Sequence, residues 1–375
     1  MKKDILWYGP CFSFSGYAQH NRAMIFELDK LGWNIQLIPT EPYIPEGLDG
    51  VSRLLELVRN DTIDARETIA INLVPPPAIP QWGKWTILFT TLENITLHEG
   101  AKNRIQQFDE VWVPCTFNYS TLARELTKKM AIEIVQEGVY TKIWNPGVQK
   151  DKRFSSNLYT FFFCGDWSYR KGNDILIRAY AKAFNPTDPV RLLLFTHYQG
   201  RGANETLPTV KAEIQDICKR YNIKKLPKID IIPSHYPDSD LPGIFKCADV
   251  GIFPTRGEAW GLPIIQLMSL GIACITSNQG GQIDYCTKNN SYLIKTEKLD
   301  TIDDKVNCTV DFYKEQKFIF PDVEHTAELM KHAYNHRTET EQKGKIARQN
   351  IADFFDWEVA GKIADRILTK RLKKL

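Results

Sequence analysis

Residues 256–271, RGEAWGLPIIQLMSLG, place the carboxylate Glu258 in a glycine-bearing loop and the polar Gln266 inside an apolar run. Ile264, Ile265, Leu267, Met268 and Leu270 would cover the whole circumference of a helix, which predicts a buried one. Pro263 suits its first turn, where a missing N–H costs nothing. The open amides at such a helix start attract anions. A carboxylate carried to the same mouth can accept hydrogen bonds from sugar hydroxyls while the amides hold phosphates. An unpaired Gln266 amide one turn inside that helix would cost about 1 to 3 kcal/mol. It therefore needs a partner, either a nearby backbone carbonyl or a ribose hydroxyl of a nucleotide lying across the helix start.

A second group of chemically suited residues lies in CGDWSYRKGND, 164–174, where Arg170 and Lys171 precede Gly172 at a helix start. The arginine offers a planar fork and the lysine a point charge, a combination that suits a diphosphate. As an isolated pattern it would be a charged turn. The loop GPCFSFSGYAQHNR, 9–22, also leads from a strand into a helix, and Gly16 lets a ligand approach its amides. Any α/β protein has such a turn, so this signal is weak alone. His20, a turn further on, reads as a surface or packing histidine. Trp82, Trp85 and Trp167 read first as packing residues and second as platforms for a sugar ring.

The elements that must position these residues alternate. DILWYG (4–9), a helical segment (17–32), NIQLIPT (34–40), WTILFTTLE (85–93), EVWVPC (110–115) and IEIVQEGV (132–139) make a strand-and-helix series. The pattern restarts at YTFFFCGDW (159–167) and continues through RLLLFTH, KIDIIPS, DVGIFPT and IACITSN. Apolar strands alternating with helices predict an α/β fold with parallel sheets. We expect two Rossmann-like lobes facing a central cleft: 1–150, 151–350, and a C-terminal helical segment 351–375 packing back on the first lobe. Ligands bind beyond the carboxyl ends of strands in such sheets, so the loops after strands are the places to search. The segment 43–82 offers no decodable pattern.

Composition narrows the field. The chain of 375 residues is 43% hydrophobic and 25% charged, as expected of a globular protein of about two domains, and has no run long enough to span a bilayer. Gly9 and Pro10 interrupt the first apolar run, so the N-terminus does not read as a signal peptide and a cytoplasmic location is expected. The net charge of +3 is too even to imply a nucleic-acid partner. The basic tail TKRLKKL (369–375) reads as a solvated helix end, with weak peripheral membrane contact as the alternative. Eight cysteines without a CxxC pair read as buried reduced thiols, and no Asp or His cluster has metal-ligand spacing.

The block SHYPDSDLPGIFKCADVGIFPTRGEAWGLPIIQLMSLGIACITSNQGGQIDY, 234–285, resembles the donor-site core of the retaining GT-B glycosyltransferases, specifically glycosyltransferase family 4, the group 1 type. FDEVWVPCTFNYSTL (108–122), EGVYTKIWNP (137–146), CGDWSYRKG (164–172) and HAYNHRTETEQKGKIARQNI (332–351) extend the resemblance over most of the chain. It implies transfer of a sugar from a UDP- or GDP-linked donor to a hydroxyl of a glycan, lipid or protein-linked acceptor. It implies no cofactor and no essential metal, and attack on the same face assisted by the departing phosphate. Glu258, Arg170 and Lys171 would be the catalytic groups. The donor would lie among Gly16, Arg170, Lys171, Glu258, Ala259, Trp260, Gly261, Leu262 and Gln266. The acceptor would be read mostly by the N-terminal lobe.

The family motif has a glutamate, seven residues, then a second glutamate that binds ribose, and Gln266 stands at the second. A carboxylate accepts from both ribose hydroxyls, whereas an amide accepts at oxygen and donates at nitrogen, so the hydrogen bonding would change. Asp166 occupies a position where the family often has a base. Thr91 and Glu93 stand where many relatives have a histidine, and His98 is too far along to replace it. The alternatives are a catalytically silent binding or scaffold protein of the same fold, or a nucleotide-sugar epimerase.

Overall fold

Continuous apolar runs become strands because a parallel strand is buried on both faces, and amphipathic segments become the helices that cover them. The computed structural model describes residues 2–75, 82–198, 202–233, 236–301 and 315–375. The chain divides into two units, Met1–Tyr140 together with Phe354–Leu375, and Thr141–Asp353.

The first unit contains β1 (Asp4–Gly9), α1 (Gly16–Lys30), β2 (Asn34–Pro39), α2 (Val51–Val58), β3 (Ile69–Leu73), β4 (Trp85–Phe89), α3 (Glu99–Ile105), β5 (Glu110–Val113), α4 (Thr116–Glu125) and β6 (Ala131–Ile134). Its strands form one sheet in the order β2-β1-β3-β4-β5-β6, parallel throughout. The interior strand β3 lies in the stretch that read as patternless. All of its residues are buried, so it has no polar alternation to betray it, and charged residues precede it closely.

The second unit contains β7 (Tyr159–Asp166), α5 (Asn173–Ala183), β8 (Val190–His197), α6 (Ala203–Arg220), β9 (Lys228–Pro233), α7 (Leu241–Phe245), β10 (Val250–Phe253), α8 (Leu262–Ser269), β11 (Cys274–Ser277) and β12 (Ser291–Ile294). These strands form a second parallel sheet in the order β12-β11-β10-β7-β8-β9. An antiparallel pair, β13 (Thr296–Thr301) and β14 (Lys317–Pro321), stands apart from it and leads to α9 (Val323–Asn335) and α10 (Arg337–Phe354). Phe161, Phe162 and Phe163 on β7 fill the core on both faces of the sheet.

Expected boundaries near 150 and 350 fall at 140 and 353, and packing explains both. Trp144 is buried against Phe245, with ring centroids 5.1 Å apart, and its carbonyl accepts from Ser269 Oγ and from Arg348. Residues 351–354 are the last turn of α10, so the terminal helix is α11 (Trp357–Leu372) alone. It packs on α1: Asp365 accepts from Lys3 Nζ and Trp33 Nε1, each at 2.9 Å, and Gly361 abuts Glu27. The basic tail is only partly a solvated end, because Arg371 Nε donates to the fully buried Glu110 at 2.5 Å. Cysteines 11, 115, 164, 218, 247, 274 and 286 are free, and Cys308 lies outside the described residues. Among the described residues no helix is long and apolar enough to cross a membrane.

Candidate active site

In the second sheet β8 and β9 lie on one side of β7, and β10 to β12 on the other. Strand order reverses between β7 and β10, so their connections leave in opposite directions and open a crevice beyond their carboxyl ends. The loop after β7 carries Arg170 and Lys171, and the loop after β10 carries Glu258. The two groups read separately from the sequence thus meet at one switch point.

The first loop turns into α5 at Gly172, whose φ of 75° is left-handed. A Cβ there would lie 2.0 Å from Pro254 O, so this approach of the two loops requires glycine. The neighbouring contacts cross between the loops. Arg170 O accepts from Arg256 N at 2.7 Å, and Arg170 Nη1 donates to Gly257 O at 2.9 Å. Lys171 Nζ donates to Glu258 Oε2 at 2.5 Å, with side chains 16% and 11% exposed. Low exposure strengthens this pair relative to one in water and holds both groups in a single arrangement.

Gly261, with φ of 95°, caps the start of α8 without a side chain, and Pro263 lies in the first turn. A larger residue at Gly261 would press on Ile264 and on the Tyr285 hydroxyl, each 3.0 Å from the added Cβ. That hydroxyl lies 2.6 Å from Trp260 O and supports the loop from below. Gly281 N donates to Glu258 O at 2.9 Å, fixing the backbone behind the carboxylate. Ala259, Trp260 and Leu262 are buried, so they shape the loop rather than offer polar side-chain groups to a ligand. Gln266 is 9% exposed, and its side-chain amide has no hydrogen-bond partner among the described residues.

Asp166 ends β7 with Oδ1 3.9 Å from His197 Nε2 at the end of β8. It gives the crevice an acidic residue where the resemblance expects a base. Gly165 precedes it, and the nearest neighbours a Cβ there would meet are the Lys171 methylenes and Phe163, each at 3.8 Å. Burial pushes the Cys164 thiol up to about 12, so it is not a nucleophile at neutral pH. Trp167 is buried edge-on to Phe163 and Trp85 is half-buried, whereas Trp82 is exposed.

In the first unit, Gly16 opens α1 and Ser15 caps it, its Oγ accepting from Ala18 N. The loop before it is closed by its own side chains. Cys11 N and Phe12 N donate to the two Glu41 oxygens at 2.9 and 3.0 Å, and Arg22 donates to Cys11 O and Ser13 O. His20 is buried beside Phe89 and Trp357, which is the packing role expected. Its Nδ1 lies 3.5 Å from Glu137 Oε1, yet burial pushes the imidazole pKa down to about 3, so the contact is not an ion pair at neutral pH. Thr91 Oγ1 lies 2.5 Å from the Tyr17 hydroxyl. Burial raises that phenol's pKa, as do the charges of Glu93 and Glu137. His98 caps α3 through Nδ1, which accepts from Gly100 N, so it is engaged locally.

The sequence reading missed Arg256, Asp174, Tyr285 and Gly281, which hold the loops that present Lys171 and Glu258. Arg256, Gly281 and Tyr285 were within the quoted donor block and Asp174 within the quoted loop 164–174, but a charge in a loop reads as solvated until its burial is known.

Residues 148–317 match the family model described as Glycosyl transferases group 1. Over that stretch the group 1 part of the resemblance read from the donor block therefore holds. A D-inositol 3-phosphate glycosyltransferase of Segniliparus rotundus is 25% identical over 154 residues, 40% of this chain and 32% of that protein, so the match spans about a third of the relative's length. A glycosyltransferase of Rickettsia africae superposes with a TM-score of 0.69 at 15% identity over 100% of both chains. The Anabaena protein HepE in complex with UDP-glucose gives 0.64 at 12% identity over 99% of this chain and 100% of that one. Two parallel six-stranded sheets with flanking helices are thus the GT-B architecture expected.

Proposed function

We propose that this chain is a retaining glycosyltransferase that moves a sugar from a nucleoside diphosphate sugar to an acceptor hydroxyl, without an essential metal. The observation that carries it is the Lys171–Glu258 pair at the switch point of the second sheet, beside the uncapped start of α8. Each part has a chemical task. Arg170, Lys171 and the first amides of α8 would take the diphosphate and neutralise the charge that grows on it as the sugar leaves. The phosphate competes with Glu258 for Lys171, and the carboxylate then accepts hydrogen bonds from sugar hydroxyls near the reacting carbon. Gln266, with its amide unmet among the described residues, would face the ribose, accepting from one hydroxyl and donating to the other. The acceptor oxygen attacks on the face the diphosphate leaves, and the departing phosphate takes its proton.

UDP is the first nucleotide to test, because HepE was solved with UDP-glucose. A cytoplasmic location fits these readings, and the acceptor class stays open to glycan, lipid and protein-linked hydroxyls. Donor binding without turnover is the alternative that Gln266 favours. Thermal-shift measurements with UDP, GDP, ADP and their sugars, followed by a donor-hydrolysis assay, separate the two. The expected result is a rise in Tm with one nucleotide series, slow hydrolysis of its sugar, and about tenfold or weaker binding of that nucleotide to Lys171→Ala by calorimetry. No stabilisation by any nucleotide would remove the donor site; binding without hydrolysis or transfer would leave a silent binder.

A further inference from the structure

Arg256 opens the loop that carries Glu258, and a guanidinium only 3% exposed must have its charge and its N–H groups met. The charge and three of the five N–H bonds are met from the other loop, while Nε has no hydrogen-bond partner among the described residues. Nη1 and Nη2 donate to the two Asp174 oxygens at 2.7 and 2.9 Å, and Nη1 also donates to Tyr169 O at 2.6 Å. The guanidinium carbon lies 3.6 Å from the centre of the Tyr169 ring and 4.9 Å from that of Phe320 on β14. The backbone of Arg256 adds two further ties: its N–H donates to Arg170 O, and its carbonyl accepts from Ile319 N at 3.2 Å.

These contacts bracket the pair. Arg170 and Lys171 lie in sequence between Tyr169 and Asp174, both held by the same guanidinium, and Glu258 lies two residues after Arg256. One planar group therefore sets the register between the two loops, with β14 closing over it through Phe320 and Ile319. We propose that Arg256 is the positioning residue for the Lys171–Glu258 pair, which it aligns without touching either side chain. The inference rests on the donor-site reading above. A lysine could keep the charge but not the fork to Asp174, the third bond to Tyr169 O and the stacked plane together.

The test is a double-mutant cycle on Arg256→Lys and Lys171→Ala, reading kcat and KM for donor turnover, calorimetric UDP affinity and Tm. Misplacement of a reacting group by about an ångström can cost up to about a hundredfold in rate. Arg256→Lys should therefore lower kcat about tenfold or more, with donor KM changed less than about threefold. In the Lys171→Ala background the same change should cost less than about threefold, because the pair it aligns is already broken. A role confined to holding the fold predicts the same factor in both backgrounds, and that result, or near-normal kcat for Arg256→Lys, overturns the proposal. If Arg256→Lys does not fold, Asp174→Asn takes its place in the cycle under the same criterion. Lys171→Ala without effect on UDP affinity or turnover would sink the donor-site reading, and this inference with it. An effective Lys171→Ala with an additive Arg256→Lys would sink the positioning role alone.

Discussion

Each unit has a sheet whose strand order reverses once, between β1 and β3 in the first and between β7 and β10 in the second, yet the two switch points are furnished differently. In the first, polar groups of the loop after β1 are met within the unit. Glu41 takes the Cys11 and Phe12 amides, Arg22 takes two carbonyls, and Asn21 joins Trp7 Nε1 to Leu73 O. Gly9 has no room for a Cβ, which would lie 2.4 Å from Leu73 O. In the second, a cation and a carboxylate face each other beside an uncapped helix start, and a glutamine amide nearby is left without a partner among the described residues. A shared architecture supplies the same opening twice. Whether chemistry follows depends on whether the polar groups there are already satisfied by the fold.

If that contrast holds, changes to polar pairs of the first unit should cost stability, and changes at the second switch point should cost transfer. The largest expected effect is on Arg371→Ala. Glu110 is fully buried and accepts from Arg371, Trp85 Nε1 and Trp112 Nε1, so losing the guanidinium leaves an uncompensated buried charge. A loss of about 3 kcal/mol is expected in denaturant unfolding, with transfer per folded molecule unchanged. Intact stability with lost transfer would reverse the contrast. Glu258→Ala comes next: transfer should fall by at least about a hundredfold while Tm stays within a few degrees. Near-normal transfer would take Glu258 out of the site.

His20 sharpens the comparison through pH. Burial pushes its pKa down to about 3 in the folded chain, against about 6.5 when exposed. Between those values the unfolded chain binds a proton that the folded one excludes. The contribution is therefore complete above about pH 6.5 and declines as the pH falls below it. His20→Leu should flatten the fall of Tm between about pH 7 and pH 5; an unchanged slope would assign the acid sensitivity to other groups. The smallest effect is expected for Gln266→Glu. Restoring the carboxylate should alter UDP affinity or nucleotide preference by a few-fold, since one hydrogen bond changes character. A change in Tm alone would make Gln266 a structural residue.

Much of this was legible because buried parallel strands are written as short apolar runs, and DVGIFP followed by RGEAWGLP spells strand, loop and helix start locally. The strands β3 and β12 were not, being short apolar runs without punctuation clear enough to separate them from neighbouring loops. The unit boundary near Tyr140 was hidden because the partners of Trp144, namely Phe245, Ser269 and Arg348, lie far away in the chain. Arg256 was hidden for a related reason: its burial depends on Asp174, Tyr169 and Phe320, none of them a sequence neighbour.

By itself the sequence determined which side chains stand at the ends of strands and at the starts of helices. Helix periodicity, proline at a first turn and glycine at a cap act over a few residues and need no distant partner. Tertiary structure decided that Lys171 meets a carboxylate 87 positions away at 2.5 Å, and that Gln266 meets no carbonyl among the described residues. Those outcomes follow from β7 lying beside β10, an adjacency produced by crossovers and core packing over the whole unit, to which local spacing is blind.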